Sequence, residues 1–491
     1  MIDTQKIIHL VKINSPVRSF LIIGVIFSLL NMYAVIQSEY WVAYIPFGLL
    51  LFFLVFFHLE KAILSLAFLV PLSINFEDIG FGLGISLPDE PMIIIIMLLS
   101  LFKFFIKSEY DAQVFKHPIT IMLLVNFLWM TLSAVFSEMP FISFKFMLSR
   151  FWFVIVFYFM GIMVFKNLKN IKNYIWLYIA SLSLVIVYTI YNHSSFGFSK
   201  DHSYLVMNPF YIAHGIYAAA IAFMIPFLFI VVLFGKSFRL NDTQRLTTFF
   251  ILALFVVGLI FSYTRAAWLS VIALVVIIVP LMLRIRFNTL LMITVLGVGL
   301  FITFQDEIYY LMSKTQDVSS DDMGEHFKSM VNVKSDPSNA ERINRWMSAI
   351  EMVKDKPFLG FGPGTYMFSY APFQSFNYQT IISTNFGDVG NAHSEYLGML
   401  SEAGYIGLVS YLLLLYFTLR TAFRLFEKSP NMVTKFIALS LALGMITYLV
   451  HGVMNNYTES HKIAILFWGG MAIITALDLY HNEEESTHEQ Q

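Results

Sequence analysis

The sequence contains no cysteine. That excludes disulfides and the thiolate-based zinc and iron–sulfur centres. Charge is scarce as well, at 13% of residues against roughly 25% in a soluble domain. Basic and acidic residues nearly balance, leaving a net charge of −1, so nothing points to a nucleic-acid partner. No pair of histidines has the one-turn H-x-x-x-H spacing of a helical metal site, and neither a metal nor a cofactor is expected.

What fills the space is apolar. Hydrophobic residues make up 58% of the chain, and the mean hydropathy is +0.71. Uncharged runs recur at the roughly 20-residue length that a bilayer demands of a helix. The expected fold is therefore all-α, a polytopic transmembrane helical bundle of about 12–14 spans with a long, partly helical periplasmic loop. Spans are expected near 19–37, 40–57, 62–76, 91–106, 118–137, 147–165, 173–191, 209–234, 246–264, 266–283, 287–304, 395–418, 433–451 and 463–480. The first run is too long for a cleaved signal core and is read as a span. Five regions follow: N-terminal helices 1–208, core helices 209–304, the loop 305–394, C-terminal helices 395–480 and an acidic cytoplasmic tail 481–491.

Positive residues in short loops mark the cytoplasmic side. Alternate short loops carry Lys6, Lys12 and Arg18, then Lys103, Lys107 and Lys116, then Lys166, Lys169 and Lys172, and so on to Arg420, Arg424, Lys428 and Lys435. The opposite short loops hold only Lys145, Arg150, Lys200, Arg265 and Lys462. Both termini are expected in the cytoplasm. Within that frame, "LTTFFILALFVVGLIFSYTRAAWLSVIALVVIIVPLML" carries one charge, Arg265. As a single helix it would be about 57 Å long, nearly twice a hydrocarbon core. It must be a hairpin with Arg265 at its outer tip. An arginine there either snorkels to lipid headgroups or serves an anion site.

The loop sharpens at "SNAERINRWMSAIEMVKDKPFLGFGPGTY". Ser338 and Glu341 have the spacing of a capping box. Ile343, Trp346, Met347, Ile350 and Val353 then form an apolar stripe at helical period, with Arg342 and Arg345 along one edge. The glycines of "GFGPGTY" follow a helix rather than a strand, so positive-φ turns explain them better than a phosphate loop. At "GNAHSEYLGMLSEAGYIGLVSYL" the chain re-enters the membrane, with Asn391 placed to cap the next helix. His393 and Glu395, two apart, fall on different faces and make no ready acid–base pair.

Three blocks, "SYTRAAWLS", "ERINRWMSAIEMVKDKPFLGFGPGTY" and "NAHSEYLGMLSEAGYIGLVSYL", resemble the O-antigen ligase superfamily in content and order. That superfamily includes bacterial repeat-unit polymerases and protein O-oligosaccharyltransferases, and the resemblance covers roughly residues 209–425. It implies a glycosyltransferase of the bacterial inner membrane, working on the periplasmic face without metal in surface-polysaccharide or lipopolysaccharide biosynthesis. The donor would be a glycan on undecaprenyl pyrophosphate, and the acceptor another glycan, lipid A-core or a protein. The family's essential arginine and loop histidine fall on Arg265 and His393, and its arginine-bearing loop helix on Arg342 and Arg345. Lys145 and Arg150 join the expected diphosphate binders as outer-face cations. Glu395 or Glu402 is the alternative to His393 as base. A transporter or flippase is the competing class, disfavoured because the span centres carry almost no charge.

Overall fold

In the computed structural model the described residues are 15–37, 42–43, 45–76, 85–106, 111–282, scattered positions of 288–299, 337–374, 383 and 390–482. The expected span 287–304 falls mostly outside them. So do the polar stretch 305–336 and the tail from 483. Apart from one antiparallel hairpin, β1 (Ile74–Phe76) with β2 (Ile85–Leu87), the described chain is helical.

Residues up to Ala62 form one compact unit and those from Ile63 a second. The first holds α1 (Ser15–Ile36), α2 (Ile45–Phe57) and the start of α3 (Leu59–Leu72). The second continues α3 and adds α4 (Asp89–Ile106), α5 (Pro118–Val135), α6 (Pro140–Val164), α7 (Leu168–Ser194), α8 (His214–Phe234), α9 (Asp242–Ile260) and α10 (Arg265–Met282). Then come α11 (Pro337–Asp355), α12 (Glu395–Lys428), α13 (Met432–His451) and α14 (His461–Tyr480). Among the described residues, nine helices are long and apolar enough to cross a membrane. That is consistent with a polytopic membrane bundle.

The most buried of these are α8 and α14, each with 83% of its apolar window inside the protein, against 22% for α9 at the periphery. Helix starts follow polar caps. Asn241 and Gln244 form a reciprocal capping box on α9, Asn167 caps α7 and Asn431 caps α13. Several interior hydroxyls are paired, as a medium without water favours. Tyr158 Oη lies 2.6 Å from Thr120 Oγ1, Tyr174 Oη donates to the Ile465 carbonyl, and Tyr178 Oη donates to the Lys462 carbonyl.

Two features depart from the sequence reading. Lys462, read as a loop charge, is buried, and its ammonium donates to the Val70 carbonyl (2.5 Å), the Ser73 carbonyl (2.9 Å) and Ser73 Oγ (2.6 Å). It satisfies carbonyls left open where α3 ends after Pro71. The expected span 395–418 is not one helix either. Gly404, at φ +70° and ψ −172°, divides α12 into a short arm, 395–403, and a longer helix from 405.

Candidate functional site

A series of contacts gathers five connecting segments at one end of the second unit. The Glu138 amide donates to the Phe361 carbonyl, and Tyr263 Oη donates to the Phe198 carbonyl. Thr264 Oγ1 donates to the His214 carbonyl at 3.5 Å. Gly215 has no side chain where Tyr457 Oη approaches; a Cβ there would lie 2.1 Å from that oxygen. The Tyr457 amide donates to Glu395 Oε1, and Trp346 Nε1 donates to the His393 carbonyl.

The single-charge run breaks at Phe261–Thr264 into α9 and α10, and Arg265, half-buried, is the first residue of α10. The turn is braced by Trp268, whose Nε1 donates to the Leu259 carbonyl at 2.8 Å, and by Tyr263 at φ +50°. The bond from Thr264 to His214 brings the start of α10 beside the start of α8, which has no side-chain cap. Two helix N-termini and a guanidinium therefore sum to positive potential in one place. The helix dipole disfavours an arginine at a first position, so Arg265 stands there against the local field.

In the loop, α11 lies against α12. Of the apolar stripe, expected to lie on the membrane surface or on the bundle, only Val353 is buried. Ile343, Trp346 and Met347 are half-exposed and Ile350 is exposed, whereas Asn344, Arg345, Ser348, Ala349, Met352 and Val353 are buried. The buried face is polar because it is stitched by hydrogen bonds. Arg345 Nε pairs with Glu341 Oε1 at 2.9 Å, its NH1 donates to the Asn391 carbonyl at 3.0 Å, and its guanidinium covers the Tyr370 ring. Ser383 Oγ donates to Glu341 Oε2. Arg345 thus fastens the helix to the segment bearing His393. Arg342, one turn earlier, is half-buried, and its charge acts on His393 and Tyr457.

Ser394, rather than Asn391, caps α12, accepting the Leu397 amide. Asn391 instead accepts the His393 amide at 3.0 Å, closing a tight turn. His393 sits between these contacts at φ +48°, a region uncommon for a residue with a side chain. Its imidazole has no hydrogen-bond partner among the described residues. Burial, then the charges of Arg345 and Arg342, push its pKa down to about 4, so the ring is neutral at physiological pH.

Glu395 is engaged differently. Oε1 accepts the amides of Tyr457 and Thr458 and the Tyr448 hydroxyl, and Oε2 accepts Thr458 Oγ1. Four donors occupy that carboxylate. It ties the short arm to the loop between α13 and α14.

The glycine turn docks into the break in α12. Phe361 and Gly362 amides donate to the Ser401 and Glu402 carbonyls, and the Tyr405 amide donates to the Pro357 carbonyl at 2.8 Å. Gly360, at φ +68°, passes so close that a Cβ would lie 2.3 Å from the Glu402 carbonyl carbon. Trp129 Nε1 takes the Ala403 carbonyl at 2.9 Å. Trp129→Phe is expected to cost about 1 kcal/mol by leaving that carbonyl unpaired, read as a lowered Tm in detergent.

Beside the short arm lies a cavity of about 220 Å³ lined by Arg150, Glu395, Glu402 and Glu459 together with Asn391, Asn456 and Thr458. The structure groups Arg150 with carboxylates, whereas Lys145 on the same helix is exposed and lines no part of that cavity. Glu459, His214, His451 and Tyr457 were missed by sequence reasoning. The signal for three of them was the polar stretch "HGVMNNYTESHK" between the last two apolar runs.

A family model described as O-antigen ligase matches residues 249–412. No curated protein matches the chain. The matched segment runs from the Arg265 hairpin through α11, the glycine turn and His393 to the break at Gly404. Together with the helical architecture, it supports placement in the O-antigen ligase and polymerase superfamily, whose members are glycosyl-transferring enzymes working on lipid-linked glycans.

Proposed function

We propose that this protein is an O-antigen-ligase-type membrane glycosyltransferase, transferring a glycan from undecaprenyl pyrophosphate to an acceptor hydroxyl at the periplasmic face of the bacterial inner membrane. One observation carries this reading. A turn led by Arg265, the half-buried Arg342 and a neutral, unpaired His393 belong to one contact-linked end of the bundle, inside the segment that matches the family.

Arg265 and Arg342 hold the diphosphate, each through charge-assisted hydrogen bonds worth roughly 1.5–3 kcal/mol net. The acceptor oxygen attacks the anomeric carbon. The bond from that carbon to the diphosphate oxygen breaks, and its electron pair leaves with the diphosphate. The hydroxyl proton passes to an imidazole nitrogen of His393. Arg345, already paired with Glu341, positions the histidine segment rather than gripping the donor, and Glu395 anchors the same segment from the other side.

The test is transfer by purified protein in lipid nanodiscs, given lipid-linked glycan and candidate acceptors. Glycan joined to lipid A-core identifies a ligase, chain extension a polymerase, and glycoprotein a protein-directed enzyme. Failure with every acceptor, while the lipid-linked donor binds, would remove the proposal. His393 adds a pH signature. Desolvation and two cationic neighbours disfavour the imidazolium, so kcat/KM should fall with acid through an inflection near pH 4 and not near the ordinary value of about 6.5. An inflection near 6.5 that vanished in His393→Gln would show the imidazole to be ordinary.

A further inference from the structure

The carboxylate-lined cavity has no part in the diphosphate clamp, yet it is built for a ligand. Arg150 is only 9% exposed. Its guanidinium is sandwiched near the Phe146 and Trp468 rings, at 5.9 and 5.6 Å from their centroids. Arg150 lines this space, and its buried Nη2 has no hydrogen-bond partner among the described residues. A buried guanidinium nitrogen left without an acceptor calls for one.

The rest of the lining fits a sugar better than a phosphate. Glu402 spends Oε1 on the Tyr366 amide. Glu459, itself exposed, takes Asn456 Nδ2 at 3.5 Å. Carboxyl groups, the side-chain amides of Asn391 and Asn456 and a guanidinium together offer the mixed acceptors and donors that hydroxyl groups need. Tyr366, Phe146 and Met399 supply apolar faces for ring C–H groups. With three acidic side chains facing one arginine, a second anion is disfavoured.

We propose that this cavity is a glycan subsite that takes one uncharged pyranose ring and rejects uronate. The proposal rests on the glycosyl-transfer reading and names the sugar class that reading leaves open. The size agrees, since about 220 Å³ leaves room for a sugar ring.

The experiment measures saturation transfer by NMR from the full-length protein in nanodiscs to free glucose, N-acetylglucosamine and glucuronate. Signal is expected for at least one neutral sugar and not for glucuronate. Two variants localise it. Gly398 lines the cavity, and a Cβ there would meet only Ala392 Cβ at 3.8 Å, so Gly398→Leu fills space without touching a charge. Glu402→Gln retains an acceptor for the Tyr366 amide. Each should weaken the neutral-sugar signal about tenfold, the usual effect of losing one charged hydrogen-bond partner or its room. No signal from either neutral sugar, an equal response to glucuronate, or an undiminished signal in Gly398→Leu would each overturn the subsite. Because binding is read without turnover, transferase failure with intact sugar binding would count against the catalytic reading alone.

Discussion

Arg265→Ala is expected to cut glycan transfer by about 10²–10³-fold, the loss typical of removing one donor aimed at developing negative charge. The chain should still insert, because Arg265 lies at the tip between α9 and α10 and not within the apolar length of either. The diphosphate carries its charge to the membrane surface and gains more as the glycosidic bond breaks. Partial burial of Arg265 limits screening of that charge, so a fixed guanidinium acts more strongly than it would in open water. Arg265→Lys separates charge from geometry. A lysine keeps the charge but loses the two-pronged grip on phosphate oxygens, so its rate should fall between wild type and alanine. Rates for all three, measured on one lipid-linked donor with insertion checked by protease accessibility, decide the matter. Wild-type turnover in Arg265→Ala would end the clamp.

The hairpin at Arg265 and the start of α11 at Pro337 were legible because each follows from length or from local period. A bilayer limits how long an apolar helix can run, and that limit is written in composition. The buried face of α11 was not legible. Hydropathy assigns Ile350 to the inside and Arg345 and Asn344 to the outside, and the protein does the reverse. The reason is Glu341, which neutralises Arg345, and Asn391, which takes its remaining donor; neither pairing leaves a periodic trace. Arg150 shows the same limit from another side. Topology assigned it to the diphosphate with Lys145, but its surroundings come from α12 and from the loop after α13, hundreds of residues away in sequence.

The break in α12 is the feature on which the geometry of the whole site depends, and Gly404→Ala tests it. The stretch "LSEAGYIGLVSYL" reads locally as an uninterrupted helix, so the strain is imposed by tertiary docking. At φ +70° an alanine costs about 1–2 kcal/mol from backbone sterics alone. Its Cβ would also lie 2.1 Å from the Phe358 carbonyl oxygen and 2.6 Å from that of Pro357. Neither atom can withdraw without breaking the bond from the Tyr405 amide to Pro357. Adding the roughly 1–3 kcal/mol of overpacking, the substitution should cost about 3 kcal/mol or more, seen as a loss of Tm and as proteolytic sensitivity between α11 and α12. Transfer should fall with it. His393 hangs from the short arm, and an α12 allowed to run straight through residue 404 would carry the arm, Glu395 and the histidine away from Arg342. Gly470→Ala, inside the regular helix α14, provides the comparison, since a Cβ there would meet nothing nearer than Phe223 Cζ at 3.7 Å and no backbone from the loop stands in its way. Equal stability of the two variants would mean that the docked turn does not hold α12 open, and the geometry assigned to His393 would lose its support.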